Sequence, residues 1–198
     1  MKKVNNIVYL TDEIIYFKNF KTNKIIKQKI NKNIIINGKV ANIDKFMNIF
    51  EKILKDNNFN NNIFGDTIKI IVNPTYTNSD IYLIKSLLEK FNFRKILIEN
   101  EIKKYKLSKE NCYLNINNEY ILMTYINEYQ KIENYIIQNN FFSSEDSLFN
   151  YIKEKIKNKV IYLIGSGEKL NSVFNDFEQK YGNSTYLINE SDTYLLNN

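Results

Sequence analysis

At 198 residues, with 43% hydrophobic side chains, the chain is one domain or two small ones and can bury a core without covalent staples. Its single cysteine, Cys112, excludes a disulfide scaffold, and the absence of histidine excludes imidazole catalysis and leaves any metal site dependent on carboxylates. The formal charge of +6 is carried by scattered lysines with one arginine, Arg94, so it reads as a solvated surface in preference to a nucleic-acid patch.

Lys, Asn, Ile, Tyr and Phe are abundant and Arg, Pro, Gly, Ala and Trp scarce, the usage of a strongly AT-rich genome. Asn-rich clusters such as Asn57–Asn62 therefore read as loop. The basic start is followed by an apolar run, Ile7 to Leu10, too short for a signal-peptide core, and nothing approaches the roughly 20 apolar residues of a membrane span. The expectation is a cytoplasmic protein. Cys112 lies in an apolar run and reads as a small core residue.

In chain order, Val4–Leu10 and Ile14–Phe17 flank the turn Thr11-Asp12-Glu13 and predict a hairpin. A third strand follows at Lys24–Ile30 or at Ile34–Ile36. Ile43, Phe46, Met47, Ile49, Phe50, Ile53 and Leu54 recur at helical spacing behind Asn42 as N-cap. Thr67–Val72 is a β-branched strand closed by Asn73-Pro74. Asn78 or Ser79 caps a helix carrying Ile81, Ile84, Leu87, Leu88 and Phe91, and then come the strand Arg94–Ile98 and a short helix or turn over Glu99–Lys106.

The order then restarts. Cys112–Ile116 and Tyr120–Ile126 flank Asn117-Asn118-Glu119, and Lys131–Gln138 fits a strand or, through Ile132, Tyr135 and Ile136, a helix. Ser143 or Ser144 opens a helix bearing Leu148, Tyr151, Ile152 and Ile156, with acidic residues first and lysines last. The strand Val160–Ile164 runs into Gly165-Ser166-Gly167, where free N–H groups at a helix start favour an anion. A helix over about Glu168–Tyr181, a strand Tyr186–Ile188 and a helical turn from Ser191 complete the chain. The fold class is thus α/β, a duplicated βββαβαβα, with halves 1–108 and 109–198 and equivalent elements displaced by roughly 90 to 105 residues.

Two such halves resemble the actin-like ATPase superfamily, a ribonuclease H-like plan in which the halves face a cleft. Four segments carry the likeness: Ile35-Ile36-Asn37-Gly38-Lys39-Val40-Ala41-Asn42-Ile43-Asp44, entering the first long helix; Ile70-Ile71-Val72-Asn73-Pro74; Lys95-Ile96-Leu97-Ile98-Glu99-Asn100; and Ile161-Tyr162-Leu163-Ile164-Gly165-Ser166-Gly167, similar to the Gly-rich loop near the adenosine. The chain is similar to a minimal bacterial actin of the rod-shape, cell-division or plasmid-segregation kind without the insertion subdomains. In the family both hairpin turns are Gly-rich and cradle phosphates beside an Asp. Here Thr11-Asp12-Glu13 and Asn117-Asn118-Glu119 lack Gly, and Asn115 stands where the second Asp is expected.

The resemblance therefore implies a degenerate site. Its cofactor-facing residues would be Gly165, Ser166, Gly167, Thr11, Asp12, Asn117 and Asn118, with no catalytic residue and no metal ligand assigned. Either no cofactor binds, or ATP with magnesium binds where the site still functions. Glu99 and Glu101 are weaker candidates for catalytic carboxylates and read first as a solvated helical turn. Phe141, Phe142, Phe149 and Tyr151 read as a helical core stripe before a docking surface. The expected role is a non-catalytic module bound to a protein partner such as an actin-like filament or a division or membrane-associated assembly, recruited by it to the inner face of the membrane. A small ATPase or kinase using Gly165–Gly167 is the alternative, and a basic nucleic-acid-binding protein the second.

Overall fold

The computed structural model describes residues 4–56, 65–101, 107–116, 120–138, 145–156, 160–165 and 185–189, with the isolated positions 175 and 179. The chain divides into two compact units, Met1–Lys104 and Tyr105–Asn198.

In the first unit the chain forms β1 (Asn6–Leu10), β2 (Ile14–Asn19), β3 (Lys24–Lys29), β4 (Ile35–Ile36), β5 (Lys39–Val40), α1 (Ile43–Asp56), β6 (Thr67–Val72), α2 (Asn78–Glu89) and β7 (Lys95–Asn100). The main sheet has the order β3-β2-β1-β6-β7. β1, β6 and β7 are parallel, while β2 and β3 are antiparallel to their neighbours. β1 is central and buried on both faces, as its unbroken run Ile7-Val8-Tyr9-Leu10 requires. Phe46, Phe50, Ile53 and Leu54 of α1, with Ile84, Leu87 and Leu88 of α2, pack on Val8, Leu10, Ile15 and Phe17. Each such side chain taken from water contributes about 1.5–3 kcal/mol, so the helical spacing of these residues holds both helices to one face.

The caps show how local chemistry fixes the ends. Asn42 caps α1, its Oδ1 accepting from the Lys45 N–H at 3.0 Å. At α2 neither Asn78 nor Ser79 is the cap: Thr77 is, in a reciprocal box with Asp80. Asp80 decides between three good capping residues in a row, because only Thr77 has an acidic side chain at the third helical position. The third extended segment proves to be both alternatives, β3 over Lys24–Lys29 and then a separate small hairpin, β4–β5.

The second unit comprises β8 (Asn111–Ile116), β9 (Tyr120–Ile126), β10 (Ile132–Gln138), α3 (Glu145–Ile156), β11 (Val160–Gly165) and β12 (Thr185–Asn189). Its sheet order, β10-β9-β8-β11-β12, repeats that of the first unit strand for strand. Cys112, Leu114, Met123, Ile152, Ile161 and Leu163 form its core, Cys112 fully enclosed. Within Lys131–Gln138 the residues Ile132–Gln138 resolve as strand, each paired with β9. Glu133, Tyr135 and Ile137 face inward, and Ile132 and Ile136, which suggested a helical stripe, are the exposed ones.

Only residues 139–144 join β10 to α3, and only the β4–β5 hairpin interrupts the path from β3 to α1. Of the expected helix over Glu168–Tyr181 only Asn175 and Gln179 are described, both helical; the last turn from Ser191, the caps Ser143 and Ser144, the cluster Asn57–Asn62, and Phe141 and Phe142 lie outside the described residues. No helix among the described residues is long and apolar enough to cross a membrane.

Candidate functional site

Because β1, β6 and β7 are parallel, their carboxyl ends share one edge of the first sheet, the edge at which open α/β sheets hold ligands. Three features crowd it: the β1–β2 turn, the β4–β5 turn, and the Asn73-Pro74 exit from β6.

In the β1–β2 turn, the Thr11 hydroxyl donates to the Ile14 carbonyl at 2.8 Å and accepts from the Ile14 N–H at 3.0 Å. That side chain closes its own hairpin. The Asp12 carboxylate reaches across to the β4–β5 turn, accepting from the Asn37 N–H at 2.9 Å and the Gly38 N–H at 2.5 Å. Asn37 and Gly38 have φ of 53° and 75°, the left-handed pair that a tight two-residue hairpin requires and that Asn-Gly supplies. Two successive N–H groups in this conformation make a small anion-binding concavity, and here the protein's own carboxylate fills it. Gly38 also has no room for a side chain, since a Cβ would lie 2.7 Å from the Asn73 Cβ. Asn73 is buried, and its Oδ1 accepts from the Thr75 N–H and hydroxyl, both at 2.9 Å.

Charge at this edge is largely paired. Lys39 Nζ lies 2.8 Å from Asp80 Oδ2. Partial burial pushes the Asp80 carboxyl up, but the Lys39 ammonium and the Thr77 N–H and hydroxyl outweigh it and hold the group below the usual carboxylate range. Burial, then the Asp80 and Asp12 carboxylates, push the Tyr76 hydroxyl well above the usual phenol range. Past the end of β7, Glu101 is 1% exposed, and its Oε2 accepts from the Tyr9 hydroxyl at 2.9 Å. The expected solvated turn is instead a buried carboxylate. Glu99 pairs with Lys69 at 2.9 Å.

In the second unit, Gly165 is the last residue of β11, in register with Ile116 of β8 and Asn189 of β12. Asn115 is buried on β8. Ser166, Gly167, Asn117 and Asn118 lie outside the described residues. The structure thus puts Thr11 and Asp12 together after β1 on the edge of the first unit, and Gly165 at the end of β11, the counterpart of β6, in the second. Among the described residues no three carboxylates or thiols converge as a metal site.

No protein-family model and no curated protein matches the sequence. Solved structures do match. MreB5 of Spiroplasma citri bound to AMPPNP aligns over 97% of this chain and 93% of its own, with a TM-score of 0.60 at 9% identity. The ethanolamine utilization protein EutJ from Carboxydothermus hydrogenoformans aligns over 98% and 89%, with a TM-score of 0.64 at 10% identity. The chain has the actin-like ATPase fold. The PilM–PilN type IV pilus biogenesis complex agrees, over 98% and 90%, with a TM-score of 0.64 at 8% identity.

Within the actin-like frame, sequence reading missed three participants at this edge: the Asn37-Gly38 turn as the partner of Asp12, the Lys39–Asp80 pair, and the burial of Glu101. The Asn-Gly dipeptide and the Thr77-x-x-Asp80 spacing were signals for the turn and the cap. Nothing in the sequence signalled that Glu101 faces Tyr9.

Proposed function

We propose that this protein is a non-catalytic, or only weakly nucleotide-binding, actin-fold module that works by holding a protein partner in a cytoskeletal, cell-division or envelope-assembly structure. The observation that carries the reading is the Asp12 carboxylate seated on the Asn37 and Gly38 N–H groups, in the turn that the family uses for phosphate. A phosphate entering there meets a like charge. At about 5 Å and an effective dielectric near 20, each unit charge on the phosphate is opposed by about 3 kcal/mol. The Asn37 and Gly38 N–H groups beside it are taken by Asp12 and offer a phosphate no donor.

A protein partner is favoured by the likeness to PilM, which was solved with PilN. The chain would act in the cytoplasm and reach the inner face of the membrane through that partner. Isothermal titration with ATP and magnesium tests the non-catalytic claim. The expected result is no turnover and no micromolar affinity, and micromolar binding with turnover would overturn it.

A second reading has one observation behind it: MreB5 of similar fold was solved with AMPPNP. On that reading ATP with magnesium binds through Gly165, Ser166, Gly167, Thr11, Asp12, Asn117 and Asn118. Gly167→Glu should then abolish activity while the fold stays cooperative, and an unchanged rate removes this reading.

A further inference from the structure

A second site lies wholly within the other unit, where the β9–β10 hairpin meets the last turn of α3. Asn127 organises the hairpin loop. Its Oδ1 accepts from the Tyr129 and Lys131 N–H groups at 2.9 and 3.0 Å, and its backbone N–H donates to the Lys131 carbonyl at 2.9 Å. The other end of the same side chain, Nδ2, donates to Glu133 Oε1 at 2.5 Å. Glu133 lies opposite Tyr125 in the β9–β10 register and two residues before Tyr135 on the inner face. Both phenols donate to Glu133 Oε2, Tyr125 at 3.3 Å. The rings of Tyr125 and Tyr135 stack with centroids 6.0 Å apart, 11° from parallel.

These groups wall a cavity of about 410 Å³, which Tyr129, Glu128, Glu154, Lys155 and Ile156 complete. Its size is that of a small-ligand pocket. The hydrogen bonds from Tyr135 and Asn127 hold the Glu133 carboxyl below the usual range, so it is ionised at neutral pH. Three of its roughly four acceptor positions are used, which leaves one on Oε1. In a chain of net charge +6, this cavity inverts the sign: three glutamates face one lysine, at a helix end whose carbonyls add partial negative charge.

That lysine already shows what the aromatic wall accepts. Lys155 Nζ lies 5.4 Å from the Tyr135 ring centroid and 5.9 Å from that of Tyr151, both within cation–π range. The protein's own ammonium thus rests on the wall of an acidic, tyrosine-lined cavity that is larger than one ammonium group.

We propose that this cavity binds an organic cation, a guanidinium or ammonium group, carried on a free small molecule or on a basic side chain of a peptide. The cation stacks on the exposed Tyr129 ring and the Tyr135 face and hydrogen-bonds the remaining Glu133 Oε1 position. None of its lining residues is among those described at the strand-end edges.

The test titrates the full chain, at low salt, with N-acetyl-arginine amide, with its neutral citrulline analogue and with a short arginine-containing peptide. Saturable binding of the arginine amide is expected, with the citrulline analogue at least about tenfold weaker. Tyr129→Ala, at a residue 82% exposed, should weaken binding about two- to fivefold with no change in melting temperature. Lys155→Met should tighten it, because the resident cation no longer competes, whereas Glu133→Gln should weaken it more than tenfold. A peptide at least tenfold tighter than the amide identifies a basic segment as the source, and equal affinities identify a small molecule. Equal binding of citrulline, absence of saturation, or no gain from Lys155→Met would overturn the proposal.

Discussion

Asp12→Ala removes a carboxylate that takes two backbone N–H groups at 2.9 and 2.5 Å. A hydrogen bond to a charged group contributes about 1.5–3 kcal/mol net, so the simple sum is about 3–6 kcal/mol. The site is only half-buried, and water can replace part of each bond in the variant, which brings the expected loss to about 2–3 kcal/mol. At about 4 °C per kcal/mol for a unit of this size, that corresponds to a fall of about 8–12 °C in the melting temperature of the first unit. Asp12→Asn retains one acceptor and should recover roughly half of the loss. Amide hydrogen exchange followed by NMR reads the contact directly, since the Asn37 and Gly38 N–H groups should exchange at least about tenfold faster in the alanine variant. A melting temperature within about 1 °C of the parent, with both amides exchanging as before, would refute the inference that the turn holds the carboxylate. The claim that this contact opposes phosphate would fall with it.

Gly38→Ala combines a left-handed backbone with a Cβ 2.7 Å from that of Asn73, and a loss of about 2–3 kcal/mol in urea unfolding is expected. Tyr9→Phe withdraws the hydroxyl from buried Glu101 and should destabilise by about 1–2 kcal/mol, whereas Glu101→Gln keeps an acceptor and should be milder. Burial, then the neighbouring Tyr162, push the Tyr113 hydroxyl up from 10.0 to about 12. The neutral form is thus favoured in the folded state, so this contribution is intact below pH 10 and is lost as pH rises toward about 12. Alkaline unfolding followed by tyrosinate absorbance should show a shallower slope in Tyr113→Phe than in the parent.

Among the described residues the element order was legible because β-branched runs, Asn-rich turns and helical spacing agree, and because the second sheet repeats the strand order of the first. Lys131–Gln138 was ambiguous for a physical reason. Ile132, Tyr135 and Ile136 fit one helical face, but what decides the matter is seven-residue pairing with β9, a long-range property. The Asp12 contact joins residues 25 and 26 positions apart and depends on how two hairpins register, which no local pattern encodes. Glu101 follows a strand and reads as the solvated start of a helix until Tyr9, 92 positions away, is placed beside it. The cavity at Glu133 was invisible for the same reason, since it needs both the inward face of β10 and the end of α3.

Residues 37 and 38 are at once the tip of the β4–β5 hairpin and the donors that restrain Asp12. Such a tip is the natural place to splice in an epitope, a dye-binding loop or a longer natural segment, and elsewhere lengthening it would perturb little. Here an insertion between Asn37 and Gly38 would pull the two donors apart and release the carboxylate, so hairpin length and the chemistry of the strand-end edge cannot be varied separately. A reporter inserted at this tip would alter the property it was meant to report, and labels belong at another turn.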